Sequence, residues 1–562
     1  MISFFNGKST FPSLLTSLIK GRVKNKNLLQ LLVSTASFLL LSIPASAAET
    51  VYVSLGLLEI SVSVESLEKY AQDGTITPKL GAYTRYLTPQ QKERLQDILT
   101  VPAELDTIAI AQFLYSPQGE TILRQFGEII DTKNRQGGFY AIRAGLILAA
   151  ADDEGLTLLN FLRRFPTKGL RINSGRGFEL VNEFSRFIKE TESAVTLIEA
   201  KSQAAASLSS QEPLFLRDLQ SSQEIPFQVQ EIQLLDRERD VLPERPRFTS
   251  QRKILARLYQ PQTSQPPPLI IISHGLGSDR DTYAYLAEHL ASYGFAVATI
   301  EHPGSNVRQL QSLMMGLKDE VSPPEELINR PLDVKFLLDY LEQTYPSKID
   351  TDQVGIIGQS YGAYTSLAVA GANINYSAVA RRCENQETAT ILNFSLLLQC
   401  QLTRLPKHDY DFYDPRIKAV FAINPLTSTI FGKAGMESIE IPTLLLTASD
   451  DTVTPALTEQ IQPFTWLESP NRYLVLLKEG THFSSIPVAE EEAIPVPKDA
   501  IGPNPEIAKD YIKALTTAFF KTHLAQKKEY QIYLSPNYTQ EITQPLMPLF
   551  LIERLTSEEL PN

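Results

Sequence analysis

The chain has 562 residues, 43% of them apolar, and a formal charge of −12. That length exceeds what one domain holds, and the apolar share is that of a globular protein with a core. So acidic a chain argues against nucleic acid or an anionic membrane as partner.

Residues 1–47 carry Lys8, Lys20, Arg22, Lys24 and Lys26, no acid, an apolar run over 28–43, and Ala45-Ser46-Ala47. This is the pattern of an export signal cleaved near Ala47. The alternative is an uncleaved N-terminal anchor, although the run is short of the roughly 20 residues that a membrane span needs. No later segment is a credible span, so the mature chain is expected in the periplasm or outside the cell. Loss of those five cations would take the charge from −12 to −17.

After the signal, 51–64 is β-branched and partly alternating, a strand or hairpin turning near Gly56. Thr88-Pro89-Gln90-Gln91 is a capping box with proline at the first helical position, opening a helix through Leu99. Further helices are expected over 104–115, 118–132, 139–150, 154–164 and 178–200. Region 48–203 thus reads as a mostly helical domain without a catalytic pattern. Residues 204–226, rich in Ser, Gln and Pro, read as a linker.

From 227 the rhythm changes. Strands are expected over 228–235, 254–259, 269–272, 296–300, 354–357, 417–423, 443–447 and 473–477. Helices alternate with them over 281–292, 333–344, 365–370 and 505–524. Apolar strands alternating with helices imply an α/β fold, a mostly parallel sheet with helices on both faces. This catalytic domain spans 227–528 with an insertion over about 372–415. Residues 529–562 are a C-terminal extension without an assignment.

The run Gly358-Gln359-Ser360-Tyr361-Gly362 is G-x-S-x-G between an apolar strand and a helix. A serine on so sharp a turn is pushed out above the sheet. Its hydroxyl is a weak nucleophile unless a base, an orienting carboxylate and oxyanion donors surround it. His482 is the one histidine after Ser360 placed at a strand end, in Glu479-Gly480-Thr481-His482. The acid lies in Ser449-Asp450-Asp451-Thr452-Val453-Thr454-Pro455, where register favours Asp451 and Asp450 is the rival. The oxyanion donors are expected to be the backbone N–H groups of Tyr361 and of Leu276 in Ser273-His274-Gly275-Leu276-Gly277. His274 is expected to pack or hydrogen-bond within that turn. Cys383 and Cys400 lie in the 372–415 insertion; in an exported chain a disulfide is expected, the alternative being two buried thiols. The insertion reads as a stapled lid with an apolar inner face, or else as surface decoration.

The segments H-G-L-G-S-D-R-D-T-Y (274–283), E-H-P-G-S-N (301–306), R-P-L-D-V (330–334) and G-Q-S-Y-G (358–362) resemble predicted dienelactone-hydrolase and platelet-activating-factor-acetylhydrolase-like esterases. The region ahead of them is similar to the uncharacterised N-terminal domain of exported cyanobacterial α/β hydrolases. The resemblance implies the α/β-hydrolase fold and a Ser-His-Asp triad. Two departures hold back the substrate: dienelactone hydrolases use a cysteine where Ser360 stands, and the acetylhydrolases place their acid where this chain has Ile423-Asn424-Pro425. The expectation is therefore a serine hydrolase of carboxylic esters, with acyl or lipid-like esters as candidate substrates. It needs no metal or organic cofactor and indicates no partner protein. The alternatives are a serine peptidase of related fold and a non-catalytic hydrolase-like binding protein.

Overall fold

The computed structural model describes residues 48–561 apart from 56–57, 86, 104–105, 209–216, 238, 240–251, 385–392 and 487–500. The expected signal and the turn at Gly56 lie outside the described residues. Two sheets organise the rest. The smaller holds β1 (Thr50–Leu55), β2 (Leu58–Ser63), β3 (Ile130–Thr132) and β4 (Gly169–Asn173) in the order β2-β1-β4-β3. Helices pack on it around Leu80, Leu99, Leu114, Leu123, Phe161 and Phe165. One of them is Pro89–Thr100, whose Thr88 and Gln91 form the expected capping box.

The larger sheet holds nine strands. They are β5 (Phe227–Asp236), β6 (Arg252–Pro261), β7 (Pro268–Ser273), β8 (Ala296–Glu301), β9 (Asp350–Gln359), β10 (Ile417–Ile423), β11 (Thr443–Ala448), β12 (Arg472–Leu477) and β13 (Leu549–Ile552). Their order is β13-β12-β11-β10-β9-β7-β8-β6-β5. The run from β8 to β12 is parallel, while β5, β6 and β13 pair antiparallel at the two edges. This is the α/β-hydrolase class of sheet. The strands are apolar on both faces because helices cover both. Along β7, Leu269 and Ile271 face one core and Ile270 and Ile272 the other, as the two-residue period of a strand requires.

The chain leaves β7 toward β8 on one side, then returns past β7 to lay down β9 on the other. Loops at the C-terminal ends of β7 and β9 therefore part in opposite directions. In open α/β sheets such a switch point is where the ligand crevice forms. The G-x-S-x-G and H-G-L-G turns lie at the ends of these two strands.

Several elements differ from the sequence reading: the helix expected over 118–132 ends at Ile129, where β3 takes over to pair with β4. The helix expected from Asp333 begins seven residues earlier, at Glu326, and runs to Thr344 with Pro331 inside it. Proline has no N–H for the carbonyl of Leu327, one turn back, which would leave that oxygen unpaired. The Tyr364 hydroxyl donates to Leu327 O instead, at 2.6 Å, from a fully buried ring. The helix expected to stop near 200 runs Ser174–Leu208, and its Ala194, Val195 and Ile198 join the core of the large sheet. The expected linker is not free where described: Leu219 is buried and Gln223 N donates to Ser292 Oγ. Residues 529–562 supply β13, which covers the β12 edge.

Tyr364→Phe keeps the ring and strands the Leu327 carbonyl. It is expected to cost about 1–3 kcal/mol, the penalty of one unsatisfied buried acceptor, read as a lower urea midpoint with an unchanged m-value.

Candidate active site

Ser360 sits between the end of β9 and the helix Tyr361–Val369 with φ 55° and ψ −116°. A non-glycine residue in that region is strained, and the strain is held by its neighbours. Ser360 N donates to Ile423 O at 2.8 Å, and Ser360 O accepts from Ala363 N and Tyr364 N. Both flanking glycines are steric necessities. A Cβ on Gly358 would collide with the Gly362 carbonyl, and one on Gly362 would collide with the Ser273 carbonyl at the end of β7. The motif spacing is thus the record of three backbones meeting.

Asp451 follows β11. Its Oδ1 accepts from Val453 N at 2.8 Å and Thr454 N at 2.7 Å. Its Oδ2 accepts from Thr454 Oγ1 at 2.8 Å and faces His482 Nδ1 at 2.7 Å. Asp450, by contrast, is exposed and accepts from Ser449 Oγ. His482 follows β12 and is buried. With Nδ1–H donated to Asp451, its Nε2 lone pair faces the Gln359 side-chain amide, Nε2 to Nε2 3.3 Å. The structure brings Asp451 and His482 into contact and sets Ser360 beside Gln359. Among the described residues no hydrogen bond joins Ser360 Oγ to His482. Such bonds are often long before substrate arrives.

Tyr361 is the first helical residue, so its N–H is one of the first-turn donors that a helix leaves unpaired. In the β7 loop Gly277 N donates to Ser305 O at 2.8 Å, while Leu276 N has no partner among the described residues. Gly275 lies against Gln359 Oε1, which has no hydrogen-bond partner among the described residues. Gln359 thereby touches both the imidazole and the loop carrying Leu276. Nothing in the motif, where its position is an x, singled it out.

Behind these loops lies a buried polar network. His274 Nδ1 donates to Gly275 O at 2.6 Å, and its Nε2 accepts from His302 N at 3.0 Å, so this histidine holds the turn. His302 Nδ1 donates to Asp333 Oδ2 at 2.9 Å, and Ser273 Oγ lies 3.0 Å from its Nε2. Asp333 also accepts from Arg239 and Arg252, and Arg252 pairs with Glu326 at 2.7 Å. Against the desolvation that burial imposes, Arg252 leads the interactions that hold the Asp333 carboxyl well below the usual carboxylate range. Burial, assisted by the Arg330 charge, pushes His302 down to about 4 and His274 well below its ordinary value. The His302–Asp333 contact is therefore a neutral N–H donated to a carboxylate.

The insertion is stapled by a disulfide between Cys383 and Cys400. It is also tied to the acid loop, since Ser395 N donates to Val453 O at 2.9 Å. Glu459, fully buried, accepts from Asn393 Nδ2, Gln399 Nε2, Thr427 N, Ser428 N and Ser428 Oγ. Sequence reasoning passed over Glu459 because a lone glutamate after a strand carries no motif. Residues 391–392 of the expected apolar lid run lie outside the described residues. Among the described residues no cluster of His, Cys, Asp and Glu could hold a metal. No described helix is long and apolar enough to cross a membrane.

Comparison with known proteins agrees with this architecture. Residues 47–173 match a family described as "Alpha/beta hydrolase of unknown function (DUF1400)". Residues 254–309, from β6 through the Leu276 loop to the loop after β8, match "Platelet-activating factor acetylhydrolase, isoform II". The dog platelet-activating factor acetylhydrolase is 27% identical over 19% of this chain and 32% of its own length. The guinea-pig protein of that name is 47% identical over 9% of this chain and 12% of its own length. Hydrolyase poxO of Penicillium oxalicum is 30% identical over 21% of this chain and 27% of its own length. The chain thus spans about a third or less of these relatives. The fold is of the α/β-hydrolase class, and the matches cover two stretches of it. Within that class it resembles the platelet-activating-factor-acetylhydrolase-like esterases.

Burial also pushes His289 and His523 down to about 4. Unfolded imidazoles titrate near 6.5, so below that pH the unfolded chain binds protons that the fold refuses. These histidines are expected to leave stability unchanged between about pH 6.5 and 8, below the range where Lys521, lowered by burial to about 8, adds its own dependence, and to make it fall from about pH 6.5 toward pH 4. The slope is at most about 1.4 kcal/mol per pH unit for each such histidine. Urea midpoints measured every half unit check this; a flat profile would mean that the histidines charge in place.

Proposed function

We propose that this hydrolase cleaves carboxylic esters through Ser360, His482 and Asp451. The observation that carries the reading is the Asp451–His482 pair at 2.7 Å, one loop away from a serine held at φ 55° on a strand-to-helix turn. A buried carboxylate with three other donors has no freedom to turn away from Nδ1, so the lone pair of Nε2 stays directed toward the Gln359–Ser360 turn. In the reaction Ser360 Oγ attacks the ester carbonyl as His482 Nε2 takes its proton, which requires the imidazole to exchange its Gln359 contact for Ser360. The carbonyl oxygen, now an anion, is received by the N–H groups of Leu276 and Tyr361. His482 returns the proton to the departing alcohol. Water then repeats the sequence on the acyl-enzyme and releases the acid. Asp451 keeps the imidazole in the Nδ1–H tautomer throughout.

In this reading 227–528 is the catalytic domain and the 372–415 insertion is its lid. The lid's disulfide and its ties to Glu459 and Val453 set it beside the acid loop, where an apolar inner face would select acyl or lipid-like chains. The disulfide also supports an exported chain, since such bonds persist in oxidising compartments.

Ser360→Ala is expected to abolish hydrolysis of short p-nitrophenyl esters and labelling by a fluorophosphonate probe, both measured on the chain from residue 48. Asp451→Asn is expected to lower turnover by roughly 10⁴-fold, and Asp450→Asn to leave it within a few-fold. Retained hydrolysis or labelling in Ser360→Ala would overturn the assignment. Cleavage of peptide amides in preference to esters would replace it by a peptidase.

A further inference from the structure

Arg330 is a fully buried residue in the helix Glu326–Thr344, one position ahead of Pro331. Burying a guanidinium is costly unless its donors are met. Here each of its three nitrogens is engaged, and none of them by a carboxylate. Nε donates to Thr365 Oγ1 at 3.0 Å and Nη1 to Ser305 Oγ at 2.6 Å. Nη2 donates to Ser273 Oγ at 3.3 Å and to the carbonyl oxygen of His274. The carbon at the centre of the fork stands 4.6 Å over the Tyr361 ring. The neighbouring acids, Glu326 and Asp333, are taken by Arg252. Desolvation brings Arg330 down to about 10, which leaves it charged at neutral pH.

Its partners divide between two turns. Ser273 and His274 enter the loop that carries Leu276 N–H. Tyr361 and Thr365 begin the helix that carries Tyr361 N–H, and the Thr365 hydroxyl in turn donates to Tyr361 O at 2.9 Å. Ser305, the remaining partner, receives Gly277 N on its own carbonyl and so fixes the far end of the Leu276 loop. One rigid, planar cation thus spans both halves of the expected oxyanion hole. Lysine, a point charge on a flexible stem, could not engage the same set.

We propose that Arg330 is the positioning residue of the oxyanion hole: it sets the spacing of the Leu276 and Tyr361 N–H groups and supplies the unpaired positive charge behind them. The proposal rests on the ester-hydrolase reading above. A ground-state ester carries little charge on its carbonyl oxygen, whereas the tetrahedral intermediate carries a full one. Misplaced donors therefore act on the transition state and spare substrate binding.

The experiment compares wild type, Arg330→Lys, Arg330→Met and, as a destabilised control away from the site, Tyr293→Phe, which loses the hydroxyl that donates to Ser221 O at 3.0 Å. It measures kcat and KM for p-nitrophenyl butyrate, the rate of fluorophosphonate labelling, and urea midpoints. Arg330→Met is expected to lower kcat by about 10²–10³-fold, the usual effect of losing one oxyanion donor, with KM within about threefold of wild type. Arg330→Lys, which keeps the charge and loses the fork, is expected to lie between. Tyr293→Phe is expected to lose stability but not kcat. A folded Arg330→Met with kcat within threefold of wild type overturns the proposal, as does a loss confined to KM. Should neither Arg330 variant fold, Ser305→Ala removes the Nη1 acceptor, along with the long Ser305 Oγ–Glu326 Oε2 contact at 3.4 Å, and an unchanged kcat in that variant overturns it equally. Absence of hydrolysis and of Ser360 labelling in the wild type would instead sink the esterase reading, and this inference with it.

Discussion

A carbonyl oxygen and a missing methyl group govern this molecule. Ser273 O, at the last residue of β7, occupies the volume that a side chain on residue 362 would need. Only glycine lets the β9 turn come so near β7, and the contact fixes how the two turns face each other. The strained backbone of Ser360 is a result of the same crowding, since Gly358 and the Gly362 carbonyl close the turn from the other side. Pre-organisation of the site is thus a packing property of main chain against main chain. It is in place before any catalytic side chain is considered.

Behind that contact the protein places charge where solvent cannot reach. Asp333, Glu326, Arg239, Arg252 and Arg330 form a chain of ionised groups beneath the loops after β7 and β8, with neutral His274 and His302 between them. Networks of this kind are stabilising only when every member is satisfied. This one is nearly so: among the described residues, Arg239 Nη2 and Asn329 Oδ1 are its atoms without partners. The result is a rigid floor for loops that would otherwise be short, polar and free to move.

Much of this was legible from the sequence. The alternation of apolar strands with helices implied a mostly parallel sheet, because burial on both faces leaves a continuous apolar signature, but it left the order of the strands open. The serine turn was legible because sterics force two glycines at a fixed spacing, and the Asp451–His482 contact because both residues sit just past apolar strands. What escaped was whatever depends on partners far away in the chain. Arg330 and Glu459 look like surface charges in a linear reading; their burial follows only from which helix packs over them. Gln359 occupied a position that the motif leaves open. The helix start at Glu326 was hidden by Pro331, whose cost is offset by a tyrosine hydroxyl 33 residues further on. β13 was missed because a four-residue edge strand carries too short a pattern to separate from a loop.

The long helix Ser174–Leu208 belongs to both halves of the molecule: it runs along β1 and β4 at one end and is buried against Ile552 and Leu555 at the other. Its apolar stripe at Ala194, Val195 and Ile198 is made early in synthesis, whereas the segments that meet the helix in the large unit, Leu457–Ile461, Pro536–Ile542 and Leu549–Ile552, come hundreds of residues later. Until those segments are made, the stripe lacks its partners in the large sheet. Synthesis therefore carries a window, hundreds of residues wide, in which a sticky helix waits for the strands and turns that will bury it.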